Sequence, residues 1–227
     1  MPILFVTTLV SCASKTRKQE DKNPYFEGFV EFTVSYSVDN AAYLRHLKQN
    51  FGARAVTYIG KDGFFCREYI DSNNIIIQRQ IYRPDSLRFY VNENGGDTIN
   101  SQDVTRPESN TVYMGLVKNN PFKILNHNVE AVQTRTIMLL RNNKSSTIDA
   151  TYYNDTNYPV NPLTYKYAVY EKAEEMFSHS PYVTAGYHFE YGGKASVTVT
   201  ATRIVPSPVP SWHFEIPQHK TIVYQNQ

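Results

Sequence analysis

The chain contains two cysteines, a single tryptophan and a formal net charge of only +2 over 227 residues. So small a charge gives no argument for nucleic-acid binding, which needs a concentrated basic face. The apolar run at the N-terminus, Met1 to Ser11, is too short to span a bilayer as a helix. The sequence has no Gly-x-Ser-x-Gly turn, phosphate-binding glycine loop, His-Glu-x-x-His motif or Cys-x-x-Cys pair. These absences predict a protein that is not an enzyme and carries no cofactor or metal.

Aromatic residues are abundant, with 18 Tyr and 12 Phe against 10 Gly and 12 Pro. This composition favours strands over helices, because flat side chains pack well on a pleated sheet. The length is sufficient for one sizeable hydrophobic core. We therefore predict a mainly β (α+β) protein whose residues 25–227 form a single domain.

The N-terminal segment carries a second prediction. Residues 1–11 are typical of a signal peptide, and Leu9-Val10-Ser11-Cys12 resembles the lipobox of bacterial lipoproteins. In a lipobox the cysteine becomes the new N-terminus and is acylated, so Cys12 is the predicted lipid attachment site. Two or three acyl chains anchor a protein stably, since each buried CH₂ contributes about 0.8 kcal/mol. The predicted location is the bacterial cell envelope, with the protein held on the outer membrane by its lipid.

Two features qualify this N-terminal prediction. No Lys or Arg precedes the apolar run, although a signal peptide normally has one, and a chance match to the lipobox in an ordinary signal peptide stays an alternative. Residues 12–24 are polar and charged, which predicts a flexible tether between the lipid and the folded domain.

The stretch from Ala55 to Val91 predicts an antiparallel meander of four strands. Asp-Gly within Gly60 to Gly63 supplies the positive φ of a tight hairpin turn, and Asn73-Asn74 predicts the next turn. Arg83-Pro84-Asp85-Ser86 predicts the third turn, because proline pre-sets the backbone for a β-turn.

The flanking segments have equally regular patterns. Phe26 to Val38 alternates apolar and polar residues and predicts a half-buried strand. A helix is predicted over Ala41 to Phe51, with Asp39 or Asn40 as its N-cap and Gly52 at its C-terminus. The polar segment Asn92 to Asn110 predicts a long loop.

The second half of the chain predicts further strands and a second helix. Asn161-Pro162 is a favourable helix start for a helix over Leu163 to Ser178. Gly192-Gly193 predicts a hairpin turn between two alternating strands. The predicted strands are Thr111 to Val117, Phe122 to Leu125, Val129 to Leu140, Thr147 to Tyr153, Tyr182 to Glu190, Lys194 to Val205 and an edge strand from Trp212 to Ile216.

This order of elements resembles the LolA-like superfamily of envelope lipoproteins and lipoprotein carriers. The resemblance includes the lipobox, the first strand and helix, Lys61-Asp62-Gly63 in the meander and the late Phe214-Glu215-Ile216-Pro217. It covers Phe26 to Pro217 as a pattern of elements. The order of elements is also similar to that of GLPGLI-type secreted proteins, although the signature that gives those proteins their name is absent from this sequence. The resemblance implies a curved antiparallel sheet forming an incomplete barrel, with one or two helices covering its concave side, where acyl chains can bind.

The predicted function follows from this fold. We expect the protein to bind a lipid, a lipidated protein or another apolar ligand between the sheet and the helices, where helices that fill the concave side incompletely leave an apolar cavity. The candidate ligand-binding residues are the apolar helix residues Leu44, Leu47, Phe51, Tyr167 and Tyr170. A core fully packed by its own side chains is the alternative. In that case the tyrosine-rich segment Tyr152 to Tyr170 would form a surface that binds a protein or glycan partner.

Two smaller patterns leave alternatives open. His188-x-Glu190 and His213-x-Glu215 would form a metal site if they lay on neighbouring strands, whereas two strands with polar outer faces give the same pattern. Cys66 lies in an apolar strand, where a buried structural thiol is expected.

Overall fold

The computed structural model describes residues 24–106, 110–117, 120–139 and 145–225. The predicted signal peptide, Cys12 and residues 13–23 of the predicted tether lie outside the described residues. None of the helices in the described ranges is long and apolar enough to cross a membrane.

The described residues form one large curved sheet that does not close. Its strands follow the order β13-β6-β5-β4-β3-β2-β1-β12-β11-β10-β9-β7, and β8 pairs with β9 beside this path. The strands are β1 (Gly28–Val38), β2 (Arg54–Ile59), β3 (Phe65–Ile70), β4 (Ile76–Arg83), β5 (Arg88–Glu93), β6 (Thr98–Asp103), β7 (Thr111–Leu116), β8 (Lys123–Ile124), β9 (His127–Leu139), β10 (Ser145–Pro159), β11 (Tyr182–Tyr191), β12 (Ala195–Pro206) and β13 (Thr221–Tyr224). The predicted fold class, a mainly β curved open sheet with helices, is confirmed.

The predicted four-strand meander corresponds to β2 through β5, each strand antiparallel to the next. In the first turn, the amide of Gly63 donates to the carbonyl of Gly60 at 3.0 Å, and Gly63 has φ 78°. In the second turn, Asp71 Oδ1 accepts from the amides of Asn73 and Ile75, both at 2.8 Å, and Asn74 has φ 65°. The turn residues therefore act as the sequence predicts.

The first strand and first helix are also confirmed. β1 connects the two halves of the sheet, because it pairs with β2 on one side and with β12 on the other. Helix α1 (Ala41–Phe51) begins at Asn40, whose side-chain oxygen accepts from the amides of Ala42 at 2.9 Å and Tyr43 at 3.0 Å. The helix ends at Gly52, which has φ 65°.

The predicted loop from Asn92 to Asn110 is wrong, because it contains β6. Its sequence TINSQD is mostly polar, and polar residues of this kind favour loops. In the sheet, however, β6 pairs with β5 and β13, and both Ile99 and Ser101 are buried. Partners distant in the sequence therefore determine the conformation of this segment.

The predicted helix from Leu163 to Ser178 is interrupted. Its start is correct, since the Asn161 side chain accepts from the Leu163 amide at 3.0 Å. The chain then forms a 3-10 turn at Pro162–Tyr165, a second one at Tyr170–Lys172, and helix α2 (Ala173–His179). Glu171 and Lys172 adopt φ values of 50° and 62°, which a helix does not accommodate, so the helical part is short.

The predicted edge strand from Trp212 to Ile216 is also wrong. Ser211–Phe214 forms a 3-10 turn, and the strand at this edge of the sheet is β13, which lies parallel to β6. The turn packs against the convex face of β3 and β4. There Phe214 joins a second core cluster that includes Cys66, Ile81, Tyr90 and Ile99.

The two His-Glu pairs do not lie on neighbouring strands. His188 lies on β11 and is hydrogen-bonded to Thr198 Oγ1 at 2.8 Å, whereas His213 lies in the 3-10 turn. The described residues contain no group of three or more metal-binding side chains. The neighbouring-strand arrangement that the metal hypothesis required is therefore wrong.

Cys66 is fully buried on the convex side, as expected for a structural thiol. Burial raises the pKa of its thiol to about 11, although the neighbouring Arg79 lowers it. The thiol is therefore protonated, and weakly nucleophilic, at neutral pH.

His213 makes the packing of this C-terminal turn sensitive to pH. Its ring is buried, stacks on Tyr58 at a centroid distance of 3.7 Å, and lies near Arg79, which donates to the His213 carbonyl at 2.8 Å. Burial lowers the pKa of His213 below its ordinary 6.5, and the charge of Arg79 lowers it further. Protonation therefore opposes this packing.

We expect stability to decrease as the pH falls below about 6.5, because the unfolded chain then binds a proton that folded His213 does not. Urea unfolding at about pH 7.5 and about pH 5 measures this loss. His213→Gln should reduce the loss, while the same substitution at exposed His219 should leave it unchanged. If both variants lose the same amount of stability between the two pH values, groups other than His213 cause the pH dependence.

Candidate ligand-binding site

The concave side of the sheet contains two adjoining cavities, which we call the inner and outer compartments. The inner compartment has a volume of about 160 Å³ and the outer one about 850 Å³. Four residues line both and mark the boundary between them: Arg67, Gln80, Tyr152 and Glu171. The core on this side is therefore not completely filled by the side chains of the protein.

The floor of the inner compartment comes from alternate residues of neighbouring strands. Thr57 and Ile59 of β2, Phe65 of β3 and Tyr82 of β4 all line it. They share one face because side chains on a strand alternate between its two sides. Most of the lining is aromatic or aliphatic, so this compartment suits an apolar group.

The roof of the inner compartment is the segment Pro162–His179, which we call the cover. It contributes Tyr165, Ala168, Tyr170, Ala173, Met176 and Phe177 to the lining. The cover lies over the sheet because the sequence after Asn161 forms compact helical turns with apolar residues on the inner side.

Aromatic stacking and hydrogen bonds hold the cover in place. The Tyr165 ring lies between those of Tyr82, at 5.6 Å, and Phe177, at 3.9 Å. The Tyr82 hydroxyl donates to the Thr164 carbonyl at 2.9 Å, and the Tyr170 amide donates to the Val104 carbonyl at 3.1 Å. Burial raises the pKa of Tyr82 to about 12, so its hydroxyl stays protonated as a donor.

The outer compartment is larger and more polar. The end of α1 contributes Asn50 and Phe51, and β9 contributes Thr134 and Thr136. Tyr69, Phe189 and Tyr191 supply aromatic surface from β3 and β11. This compartment can accept a ligand that has both polar and apolar parts.

Arg67 is the main charged group at the boundary between the compartments. Its Nε donates to Thr57 Oγ1 at 3.1 Å, and its guanidinium carbon lies 4.9 Å from the ring centroids of Phe65 and Tyr187. Burial alone lowers the pKa of Arg67, but Tyr187 and Tyr69 raise it, and the net shift is upward. The guanidinium is therefore a half-buried positive charge that its surroundings stabilise.

Tyrosines surround this guanidinium. The Tyr69 and Tyr187 hydroxyls are hydrogen-bonded to each other at 2.7 Å. Burial raises the pKa of Tyr187 and of Tyr152 well above the ordinary value, so neither ionises to neutralise Arg67 near neutral pH. The site thus presents a cation, several hydroxyls and aromatic faces.

The structure distributes the predicted binding residues over different places. Phe51 lines the outer compartment and Tyr170 the inner one. Leu47 is buried in the core and lines neither compartment, while Leu44 borders a groove on the other side of α1. Tyr167 is 56% exposed on the cover. Of the five predicted residues, Phe51 and Tyr170 line the two compartments.

The tyrosine-rich segment is mostly packed against the core. Tyr165 is buried, Tyr152 and Tyr158 are half-buried, and Tyr167 is the exposed member of this group in the cover.

Arg67 itself was absent from the predicted binding residues. One signal was present: Phe65, Arg67 and Tyr69 alternate on one strand, so the pattern places a charged residue on the apolar inner face.

Comparisons with known proteins do not identify a ligand or a function for the site. No protein-family model matches the chain, and a search of curated proteins finds no match to it. The resemblance to LolA-like proteins therefore stays a prediction.

Proposed function

We propose that this protein binds a lipid, a lipidated protein or another apolar ligand on the concave side of its sheet, without catalysing a reaction. The observation that supports this proposal is the inner compartment, an apolar cavity between the sheet and the cover that adjoins a larger one. The lipid anchor at Cys12 belongs to the same proposal and would keep the protein on the outer membrane of the bacterial envelope.

The physical basis is the filling of incompletely packed apolar space. Removing apolar surface from water gains about 25 cal/mol per Å², so a chain segment that buries about 200 Å² gains about 5 kcal/mol. Part of this gain is offset by the loss of translational and rotational freedom on binding. The aromatic walls of the inner compartment add dispersion contacts that water does not provide.

Native mass spectrometry of the Cys12→Ser protein, purified from a bacterial envelope fraction, tests the proposal. We expect a stoichiometric lipid or other apolar molecule to travel with the protein. A clean apo mass that takes up no added lipid would contradict the proposal.

A cavity-filling variant locates the binding. Ala168 is buried and lines the inner compartment, so Ala168→Phe should occupy that space and reduce ligand affinity at least about tenfold, or 1.4 kcal/mol. Ala42→Phe makes the same change at an exposed position of α1 and should leave affinity unchanged. Unchanged affinity in a folded Ala168→Phe protein would place the ligand elsewhere.

The alternative proposal is a surface module that binds a protein or glycan through the tyrosine-rich segment. The exposed Leu163 and Tyr167 on the cover favour it. Two results together would support this alternative. The native mass would show no bound lipid, and the protein would bind a partner that Tyr167→Ala no longer binds.

A further inference from the structure

We infer that Arg67 makes the site selective for an anionic amphiphile, whose carboxylate binds the guanidinium while its apolar chain enters the inner compartment. This inference rests on the proposed function, because it names the class of apolar ligand that the same cavity takes. It is carried by the position of Arg67, by its partners and by the size of the compartment.

The position of Arg67 is unusual for a charged residue. It lies on the inner face of β3 and lines both compartments, so a group in either one can reach it. Removing a guanidinium from water is unfavourable unless other groups compensate for the lost hydration. A partner of opposite sign would therefore add to the stabilisation that the neighbouring hydroxyls and aromatic rings already give this charge.

None of the partners observed for Arg67 among the described residues is a carboxylate. Its contacts are the Thr57 hydroxyl, the tyrosine side chains around it and two aromatic rings. None of the ion pairs between described residues includes Arg67, whereas Arg83 and Arg135 are each paired with an aspartate at 2.6 Å and 2.5 Å. The planar guanidinium fork is suited to a carboxylate with two oxygens.

Glu171 is the other charged residue among the described residues that line the two compartments. It belongs to the exposed part of the cover and has contacts of its own. Its negative charge opposes an anionic ligand, whereas that of Arg67 attracts one. Substitutions at these two positions should therefore change the affinity for an anion in opposite directions.

The volume of the inner compartment limits the apolar part of the ligand. An apolar cavity of about 150 Å³ accommodates a molecule the size of benzene. The inner compartment, at about 160 Å³, is therefore suited to a short or medium alkyl chain once the carboxylate is at Arg67. Octanoate is a suitable probe, and octan-1-ol has the same chain without the charge.

The test compares the affinities of these two probes by isothermal titration calorimetry, using the full chain with Cys12→Ser. Octanoate should bind at least about tenfold more tightly than octan-1-ol, as expected for a charged hydrogen-bonded pair. Arg67→Gln should remove this preference, so that the ratio of the two affinities falls to about one. Arg67→Lys should retain part of the preference, and Glu171→Gln should retain or increase it.

The outcomes separate this inference from the proposed function. Equal affinity of the unsubstituted site for the two probes would overturn the role of Arg67 while leaving apolar binding intact. A preference for octanoate that persists in Arg67→Gln would also overturn it. If neither probe binds, the proposed function fails and this inference with it. Should Arg67→Gln fail to fold, the comparison of the two probes and the Arg67→Lys variant decide the question.

Discussion

Replacing Leu47 with glutamate is expected to lower the free energy of unfolding by at least about 3 kcal/mol, because it places a carboxylate in an apolar environment. Leu47 is only 2% exposed and belongs to the main hydrophobic core. It is the buried contact through which α1 packs on the strands beneath it. We therefore expect the helix to separate from the sheet.

Urea unfolding of Leu47→Glu and Gln49→Glu measures this effect. Gln49 is exposed on the same helix, so its substitution introduces the same charge without burial and should change stability by less than about 0.5 kcal/mol. Similar stability losses in both variants would show that the charge acts through the helix and not through the core.

The Leu47 variant also tests the contribution of α1 to ligand binding. Asn50 and Phe51 of the same helix line the outer compartment, while the inner compartment has no contribution from α1. Separation of the helix should therefore lower the affinity for ligands that extend into the outer compartment. Unchanged binding of such a ligand to a folded Leu47→Glu protein would exclude α1 from the site.

Replacing Tyr165 with alanine is expected to release the cover and to lower the free energy of unfolding of the protein by about 3 kcal/mol. This is the loss typical of a large aromatic core residue. The Tyr165 ring is stacked between Tyr82 and Phe177 and forms part of the roof of the inner compartment. Its removal leaves a cavity that the short helical turns cannot fill. We expect faster ligand dissociation and faster amide exchange in the cover.

Tyr167→Ala is the matched control. Tyr167 lies two residues further along the cover but is 56% exposed, so its removal should change stability by less than about 0.5 kcal/mol. Hydrogen exchange of residues 162–179 and the ligand dissociation rate should both distinguish the two variants. If they behave alike, stacking of Tyr165 does not hold the cover in place.

Local patterns predicted most of the central strands. The alternation in β1, the Asp-Gly and Gly-Gly turns and the Asn40 cap depend on interactions within a few residues, so the sequence displays them directly. The strands β6 and β13 lack such signals. β6 forms between β5 and β13, and β13 forms beside β6, where Thr98 pairs with Thr221 although the two residues are far apart in the chain.

The site was harder to predict than the sheet. Phe51 and Tyr170 were identified as inward-facing residues of helical segments, but the same reasoning selected Tyr167, which faces outward. The positive φ values at Glu171 and Lys172 break the predicted helix, and this changes which side chains face the sheet. Helical periodicity cannot describe a segment that is helical for only part of its length.

The sequence by itself determined the β-rich class, the hairpin turns, the position of α1 and the inward face of β1, because each depends on local backbone preferences and on the alternation of side chains. The tertiary structure alone decided where the cover departs from a helix, that the cover leaves a cavity above β2 to β4, and that Arg67 lies at the boundary of this cavity with no carboxylate paired to it in the described residues. These features depend on how distant segments fill shared space, and the packing of that space is a property of the folded chain as a whole.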